Sequence, residues 1–485
     1  MVLPSHRTKM VCTIGPASAQ PEVLTAMMQA GMNVCRLNFA HGQFDGHAAT
    51  IRLIRDTAAA IGHRISIYAD LPGPKIRLGN LVGGQCTLER GAPVTLTTQN
   101  IEGTADRLPV RFPELAQSVG PGDRIFLNDG FLQLTVNAVS GTEVACRIDV
   151  GGLLLSHKGV NIPGKELPIK AFTPRDHECL DFAVRHGADV ISQSFVQKAD
   201  DLHEVREAAR AAGGNPLIFG KIERAVALQN IDTIVQAADG IMVARGDLGV
   251  ETPIEGIAIA QKRLIQHARR AGKLVITATQ MLESMVGNPR PTRAEVTDVA
   301  NAILDGTDCV MLSEESAMGQ YPVDAVQMLA RIAAATEAGW RDPEMREVLP
   351  HLETLLSGRP VADDPQIEEV IAADVVTAAI RLGARMVITP TTCGQQPRRV
   401  AAHRLPCWVV AFTPNPEIGQ QLNLCSGVHT VDVPAKGTDW KSVAGLWCKD
   451  NGFTDGLAVV THHGAQGQAE ATYCLEIIDL ATYFT

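Results

Sequence analysis

A lysine and a glutamate two residues apart, Lys221-Ile222-Glu223, close one β-rich apolar run of this sequence. An aspartate closes the next such run, in Arg245-Gly246-Asp247. Residues two apart on a strand point to the same face, so the ammonium and the carboxylate share a side. Alone, they would simply neutralise each other. Asp247 adds a second carboxylate, and the two together suit a hard divalent cation such as Mg2+. That ion takes one or two protein carboxylates and fills its other positions with water and substrate oxygens. Lys221 is then free for a substrate phosphate. Gly246 and the run Gly249-Val250-Glu251 predict a turn into a short helix. Backbone N–H groups at such a start bind anions, and a substrate carboxylate fits there. Thr279, on the following strand, would add a hydroxyl.

These residues need strands to carry them. Eight short apolar runs supply candidates: Lys9–Ile14, Asn33–Phe39, Ile65–Asp70, Asp189–Phe195, Leu217–Glu223, Gly240–Asp247, Leu274–Gln280 and Cys309–Glu315. Helical patterns alternate with them, among them Glu22–Ala30, His47–Ile61, Asp200–Ala212 and Ile257–Ala271. Strands alternating with helices indicate parallel β-α units, and eight of them predict a closed (β/α)8 barrel of the TIM type. In such a barrel, functional residues gather at the C-terminal ends of the strands. Polar residues recur there: Thr13, Arg36 with Asn38 and His41, Asp70, Ser194, Lys221 with Glu223, Asp247, Thr279 with Gln280, and Ser313 with Glu315.

Residues 72–169 read differently. Glycine-rich turns (Gly83-Gly84, Gly120-Pro121-Gly122, Gly151-Gly152) separate alternating runs such as Arg124–Leu127 and Leu132–Val136. An all-β domain is expected there, inserted between residues 1–71 and 170–342 of the barrel. Leu71-Pro72-Gly73-Pro74 and Ile162-Pro163-Gly164 would be its hinges, since proline fixes φ and glycine permits unusual angles. Residues 343–485 predict a third, α/β domain. A helical stretch begins near Pro343 and continues through Asp364–Gly383. Strands follow at Met386–Thr389, Cys407–Phe412, Val428–Val433 and Leu457–Thr461.

The bulk numbers set limits. The net charge of −10, without a long basic run, argues against nucleic acid as a partner. Eleven cysteines are scattered singly, an odd number without Cys-x-x-Cys spacing. They read as buried thiols of a reducing compartment. Met1 to Met10 lacks the apolar run of a signal peptide, and no stretch reaches the roughly 18 apolar residues of a membrane span. A cytoplasmic protein without a membrane partner is expected.

Long ordered strings now bear on identity. Thr13-Ile14-Gly15-Pro16-Ala17-Ser18, Arg36-Leu37-Asn38-Phe39, Gly73-Pro74-Lys75-Ile76-Arg77 and Lys158-Gly159-Val160-Asn161-Ile162-Pro163-Gly164 resemble motifs of the pyruvate kinases. So do Met242 to Gly249, Ala278 to Met285, and Pro289-Arg290-Pro291-Thr292-Arg293-Ala294-Glu295. The resemblance spans nearly the whole chain. It implies transfer of the phosphoryl group of phosphoenolpyruvate to ADP, by a barrel with an inserted β lid and a C-terminal α/β domain, assembled as a homotetramer. It implies that Glu223 and Asp247 hold Mg2+ or Mn2+, and that Lys221 and Arg36 stabilise the phosphoryl group in flight. The backbone at Gly246 and Asp247, with Thr279, would fix the substrate carboxylate. Thr279 and Ser313 would lie near the route of the proton to the enolate carbon. Pro16, Asn38, His41, Arg77 and Lys158 match positions near ADP, and Lys158 and Asp129 would come from the lid.

The sequence departs from the family where many members bind potassium. Asn38 and Asp70 are present, but Ala40 and Leu71 replace a serine and a threonine. Lys75 stands where potassium-dependent members carry glutamate. Its ammonium has the charge of the ion, so potassium independence is expected. Smaller departures are Gly220, Val226, Gln197, Asn128, Glu314 and Met318. The loop Thr389 to Gln396 matches the position where relatives bind a sugar-phosphate or nucleotide effector. Its hydroxyls and glycine can cradle a phosphate, as can an ordinary loop, and Arg398 and Arg399 could assist or merely solvate a helix. Two competing readings are a barrel lyase or aldolase acting on a similar acid, and an inactive relative kept as a sensor or structural subunit.

Overall fold

The apolar runs fold as eight short strands: Lys9–Thr13, Met32–Asn38, Ser66–Asp70, Val190–Gln193, Leu217–Ile222, Gly240–Ala244, Leu274–Ala278 and Cys309–Leu312. They close into a barrel in chain order, the predicted (β/α)8 architecture. The computed structural model describes residues 3–339, 366–434, 440–463 and 473–483. The first, third, fourth, sixth, seventh and eighth strands are buried along their whole length. This is why they read as continuous apolar runs rather than alternating ones. The first three strands run into their polar ends, at Thr13, Asn38 and Asp70, whereas the later ones stop short of theirs. Glu223, Asp247, Thr279 and Ser313 all lie just beyond the ladder, where side chains leave the core.

The helices start where the sequence allows. Thr292 and Glu295 form a reciprocal capping box at the head of Arg293–Asp305, satisfying two N–H groups the helix could not otherwise pair. The string Pro291 to Glu295 is thus a helix start. At the other end Gly306, with φ of 94°, ends the helix in a left-handed turn that glycine adopts without strain.

By density of contacts the chain divides into two compact units, and both take strands from the barrel. One comprises Met1–Ala69, Ala183–Ile191 and Ile265–Thr485; the other comprises Asp70–Phe182 and Ser192–Leu264. The second unit holds the inserted β domain. Its six-stranded sheet runs in the order Val160–Asn161, Arg124–Leu127, Leu132–Ser140, Glu143–Val150, Pro93–Thr97 and Arg107–Pro109, and Gln85–Leu88 pairs separately with Gly152–Leu155. Leu96, Ile125, Leu134 and Val144 are among the fully buried residues of its core.

The first unit holds the C-terminal α/β sheet, ordered Val428–Asp432, Trp408–Thr413, Met386–Pro390, Leu457–His463 and Tyr473–Asp479. Its first four strands are parallel and the last is antiparallel. The expected helix over Asp364–Gly383 appears as Ile367–Arg381, whereas the stretch from Pro343 lies outside the described residues. A buried ion pair joins this layer to the strands around it. Asp308 takes the Arg404 guanidinium at 2.8 Å, the Ser426 N–H at 3.1 Å and the Val275 N–H at 3.0 Å. The Glu337 carboxylate, likewise buried, accepts the backbone N–H of both Arg7 and Thr8 at 2.7 Å.

All cysteines are free. Most are buried as expected, but Cys393 is exposed and Cys86 and Cys474 are half-buried. Among the described residues no helix is long and apolar enough to cross a membrane.

Candidate active site

Lys221 is the penultimate residue of the fifth barrel strand and Glu223 the first residue beyond it, so the two share a face as their spacing requires. Lys221 Nζ lies 2.9 Å from Glu223 Oε1 and 3.4 Å from Asp70 Oδ1, and donates to Ser194 Oγ at 2.9 Å. Ser194 Oγ in turn donates to the Leu71 carbonyl at 2.7 Å. Without a metal on the carboxylates, the Lys221 ammonium pairs with them. A side chain only 12 % exposed cannot leave an ammonium unpaired, and the ends of the third and fourth strands supply partners. Glu223 Oε2 accepts the Phe195 N–H at 2.6 Å. Burial pushes the Glu223 carboxyl upward, Lys221 opposes this, and the charge of Asp247 adds to it.

Asp247 sits in the first turn of the helix Arg245–Glu251, as the glycines around it predicted. The residue before that helix is Ala244, and no side chain caps its start. Arg245 turns toward Gln261 at 3.3 Å. Asp247 Oδ1 instead receives Lys75 Nζ at 3.1 Å. Lys75 also lies 3.8 Å from Asp129 Oδ1, on a β-domain turn where Asn128, Asp129 and Gly130 all have positive φ, of 51°, 54° and 87°.

Among the described residues no group of three or more His, Cys, Asp or Glu is arranged to hold a metal. Glu223 and Asp247 remain as a two-carboxylate set. Each is paired with its own ammonium, and the charge of Asp247 raises the cost of charging Glu223. That donor chemistry fits a hard divalent cation.

The other unit carries the remaining strand-end residues. Arg36 Nη1 donates to Thr13 Oγ1 at 2.9 Å, and that hydroxyl donates to the Leu312 carbonyl at 2.9 Å. A buried guanidinium is thus held in one orientation. Thr279 and Gln280 have φ of 65° and 54°, costly for a β-branched threonine. Glu315, fully buried, holds the strain in place. Its two oxygens accept the Leu282 N–H at 3.0 Å and the Ser313 N–H at 2.7 Å. Glu315 is therefore a residue that strand-end reading noticed without grasping its role: it pins the main chain beside both Thr279 and Ser313. Gly15 is needed next to Pro16, because a Cβ there would lie 2.6 Å from the Ala317 carbonyl oxygen. Asn38 and His41 form a tight turn, with Asn38 Oδ1 accepting the Ala40 N–H at 3.1 Å. His47 meets the His41 carbonyl at 2.9 Å.

In the β domain Arg77 is exposed and donates to the His157 carbonyl at 3.1 Å. Half-buried Lys158 is tied by its carbonyl to the Leu78 N–H at 3.0 Å. Sequence reading also missed Glu251. Burial pushes its carboxyl up to about 7, against the opposing pull of Arg224 and hydrogen bonds from Asn161 and the Ala225 N–H.

In the C-terminal layer the loop from Thr389 turns at Gly394, with φ of 76°, where Thr391 Oγ1 accepts its N–H at 2.8 Å. Arg398 reaches Gln421 at 3.3 Å and Arg399 reaches Gln366 at 2.9 Å, so both arginines have partners within their own layer.

Comparison with known proteins closes the question of kinship. The family model for "Pyruvate kinase, barrel domain" matches residues 5–326, and that for "Pyruvate kinase, alpha/beta domain" matches residues 369–478. The chain is similar to a protein named pyruvate kinase from Thermococcus litoralis, 46 % identical over 88 % of this chain and 89 % of that one. A pyruvate kinase of Leishmania mexicana is 38 % identical over 96 % of this chain and 95 % of that one. A crystal structure of a pyruvate kinase from Cryptosporidium parvum superposes with a TM-score of 0.90 at 34 % identity, covering 98 % of this chain and 96 % of that one.

Proposed function

The chain belongs to the pyruvate kinase family and moves the phosphoryl group of phosphoenolpyruvate to ADP, giving pyruvate and ATP; we propose that Lys221, Arg36 and one divalent cation at Glu223 and Asp247 carry that transfer. Phosphoryl transfer asks little covalent chemistry of a protein, and positioning and preorganised charge do most of the work. Mg2+ or Mn2+, when bound, would supply positive charge against the oxygens of phosphoenolpyruvate. Lys221 is the mobile cation. Its ammonium already lies between acceptors from three strand ends and can turn from Glu223 to a phosphoryl oxygen. Arg36, fixed by Thr13, is the stationary one.

The substrate carboxylate is assigned to the first N–H groups of the helix at Gly246 and Asp247, with the Thr279 hydroxyl. Thr279 and Ser313 border the path of the proton to the enolate. Pro16, Asn38, His41, Arg77 and Lys158 are assigned to ADP, with Lys158 and Asp129 contributed by the lid. Closure of that lid would exclude water. The domain limits that suit these roles are 1–71 with 170–342 for the barrel, 72–169 for the lid and 343–485 for the C-terminal domain. The further reading is a cytoplasmic homotetramer, independent of potassium through Lys75, with an effector phosphate at the Thr389 to Gln396 loop.

The observation that carries the site assignment is the ammonium of Lys221 set 2.9 Å from one of two neighbouring carboxylates. A coupled assay tests it. Pyruvate should form from phosphoenolpyruvate only when ADP and a divalent metal are both present. Lys221→Met should lower kcat by about 10²–10³-fold or more. Pyruvate release without ADP would favour the lyase reading, and full turnover by the variant would remove Lys221 from the mechanism.

A further inference from the structure

The two carboxylates assigned to the metal are each paired with a lysine, and the two lysines are held very differently. Lys221 keeps two partners besides Glu223: Ser194 Oγ at 2.9 Å and Asp70 at 3.4 Å. It is 12 % exposed, so Ser194 and Asp70 still anchor it when its ammonium turns away from Glu223. Lys75 is 29 % exposed, and besides Asp247 at 3.1 Å it has Asp129 at 3.8 Å. Asp129 belongs to the β domain, in the middle of a turn of three consecutive left-handed residues. Lys75 belongs to the same segment, and its stem packs within it, for a Cβ on Gly159 would lie 3.2 Å from Lys75 Cε. One ammonium thus stands between a metal carboxylate and a carboxylate of the lid, in reach of both.

We infer that Lys75 is an exchangeable counter-ion of the metal site: a divalent cation reaching Asp247 displaces the Lys75 ammonium, which moves onto Asp129. An ammonium and a divalent ion cannot both sit within about 3 Å of one carboxylate oxygen without strong repulsion, so one must leave. The move gives up the contact of Lys75 with Asp247 for one within residues 72–169. Lys75 is accordingly a positioning residue that sets metal affinity and reports metal occupancy to the β domain. This inference rests on the assignment of the metal to Glu223 and Asp247.

The test is direct titration of the full, unliganded chain with Mn2+, followed by electron paramagnetic resonance of the free ion. Lys75→Met should bind Mn2+ at least fivefold more tightly than the wild type. Lys75→Arg, which keeps the charge, should bind within about twofold of wild type. Lys165→Met, which removes a β-domain lysine paired with Asp123, should change nothing. Asp129→Asn should weaken binding in the wild-type background, and by much less once Lys75 is methionine, since residues that act as a unit are not additive. Unchanged or weaker Mn2+ binding by Lys75→Met overturns the inference. An effect of Asp129→Asn that is equal in both backgrounds overturns its lid half. Glu223→Gln separates the two levels. If it leaves tight Mn2+ binding intact, the metal assignment itself fails; if it abolishes binding while Lys75→Met has no effect, only the exchange fails.

Discussion

Two buried glutamates sit just beyond barrel strands, and their partners differ in kind. Glu223 has one oxygen on an ammonium and one on a main-chain N–H. Glu315 has both oxygens on main-chain N–H groups. Burial raises the proton affinity of each, so burial does not tell them apart. What does is whether the partner can be exchanged. An ammonium on a flexible stem can swing away and let the carboxylate take another cation. An amide N–H fixed in the chain cannot, and a carboxylate that accepts two of them shapes backbone. The lesson is that a strand-end carboxylate should be judged by its donors before it is given a chemical role.

The strongest way to break this contrast is to neutralise each glutamate in turn. Glu223→Gln should cost about 10²–10³-fold or more in turnover while the fold persists, since a buried charge is removed. Mn2+ binding and the thermal midpoint, measured together, check this. Glu315→Ala should do the reverse in emphasis. It strands the N–H groups of Leu282 and Ser313, at about 1–3 kcal/mol each, and should lower the unfolding free energy in denaturant titrations. A Glu315→Ala protein as stable as wild type, with altered metal dependence, would erase the distinction.

A smaller effect concerns Glu251, whose partners are of both kinds. Its carboxyl is pushed up from 4.5 to about 7 in the folded state. The folded protein therefore binds the proton more tightly than the unfolded chain. Its contribution to stability is greatest below pH 4.5 and is lost as the pH rises through about 7. Glu251→Gln should flatten the dependence of the thermal midpoint on pH across that window, and an unaltered slope would assign the titration elsewhere. The smallest expected effect is none at all: potassium chloride, against a tetramethylammonium control, should leave turnover unchanged. Strong activation would remove Lys75 as a stand-in for the ion.

The sequence made the barrel legible because its strands are buried on both faces and spaced by amphipathic helices. It placed strand ends too far along, because polar residues such as Asp247 and Thr279 follow the apolar run without a break. Gly240–Asp247 was expected as one strand, whereas the last three residues open a helix. The final strand, Tyr473–Asp479, went unread. It lies at the sheet edge, mostly half-buried, so its apolar residues do not alternate cleanly. In the site, Lys221, Glu223 and Asp247 were legible from type and spacing. The grip of Ser194 and Asp70 on Lys221 was not, because those partners come from strands distant in sequence. Nor was the tie of Glu315, since a main-chain donor leaves no mark on residue identity.

Asp308 has a consequence for how this chain could be cut or recombined. Its carboxylate belongs to the segment before the eighth strand, yet Arg404 and the Ser426 N–H, both from the last third of the chain, neutralise and cover it. A fragment ending after the barrel would lose Arg404 and the Ser426 N–H together and open to water a surface that is buried in the full chain. The C-terminal layer is thus no detachable module. A chimera that replaced it would have to bring its own arginine to that place.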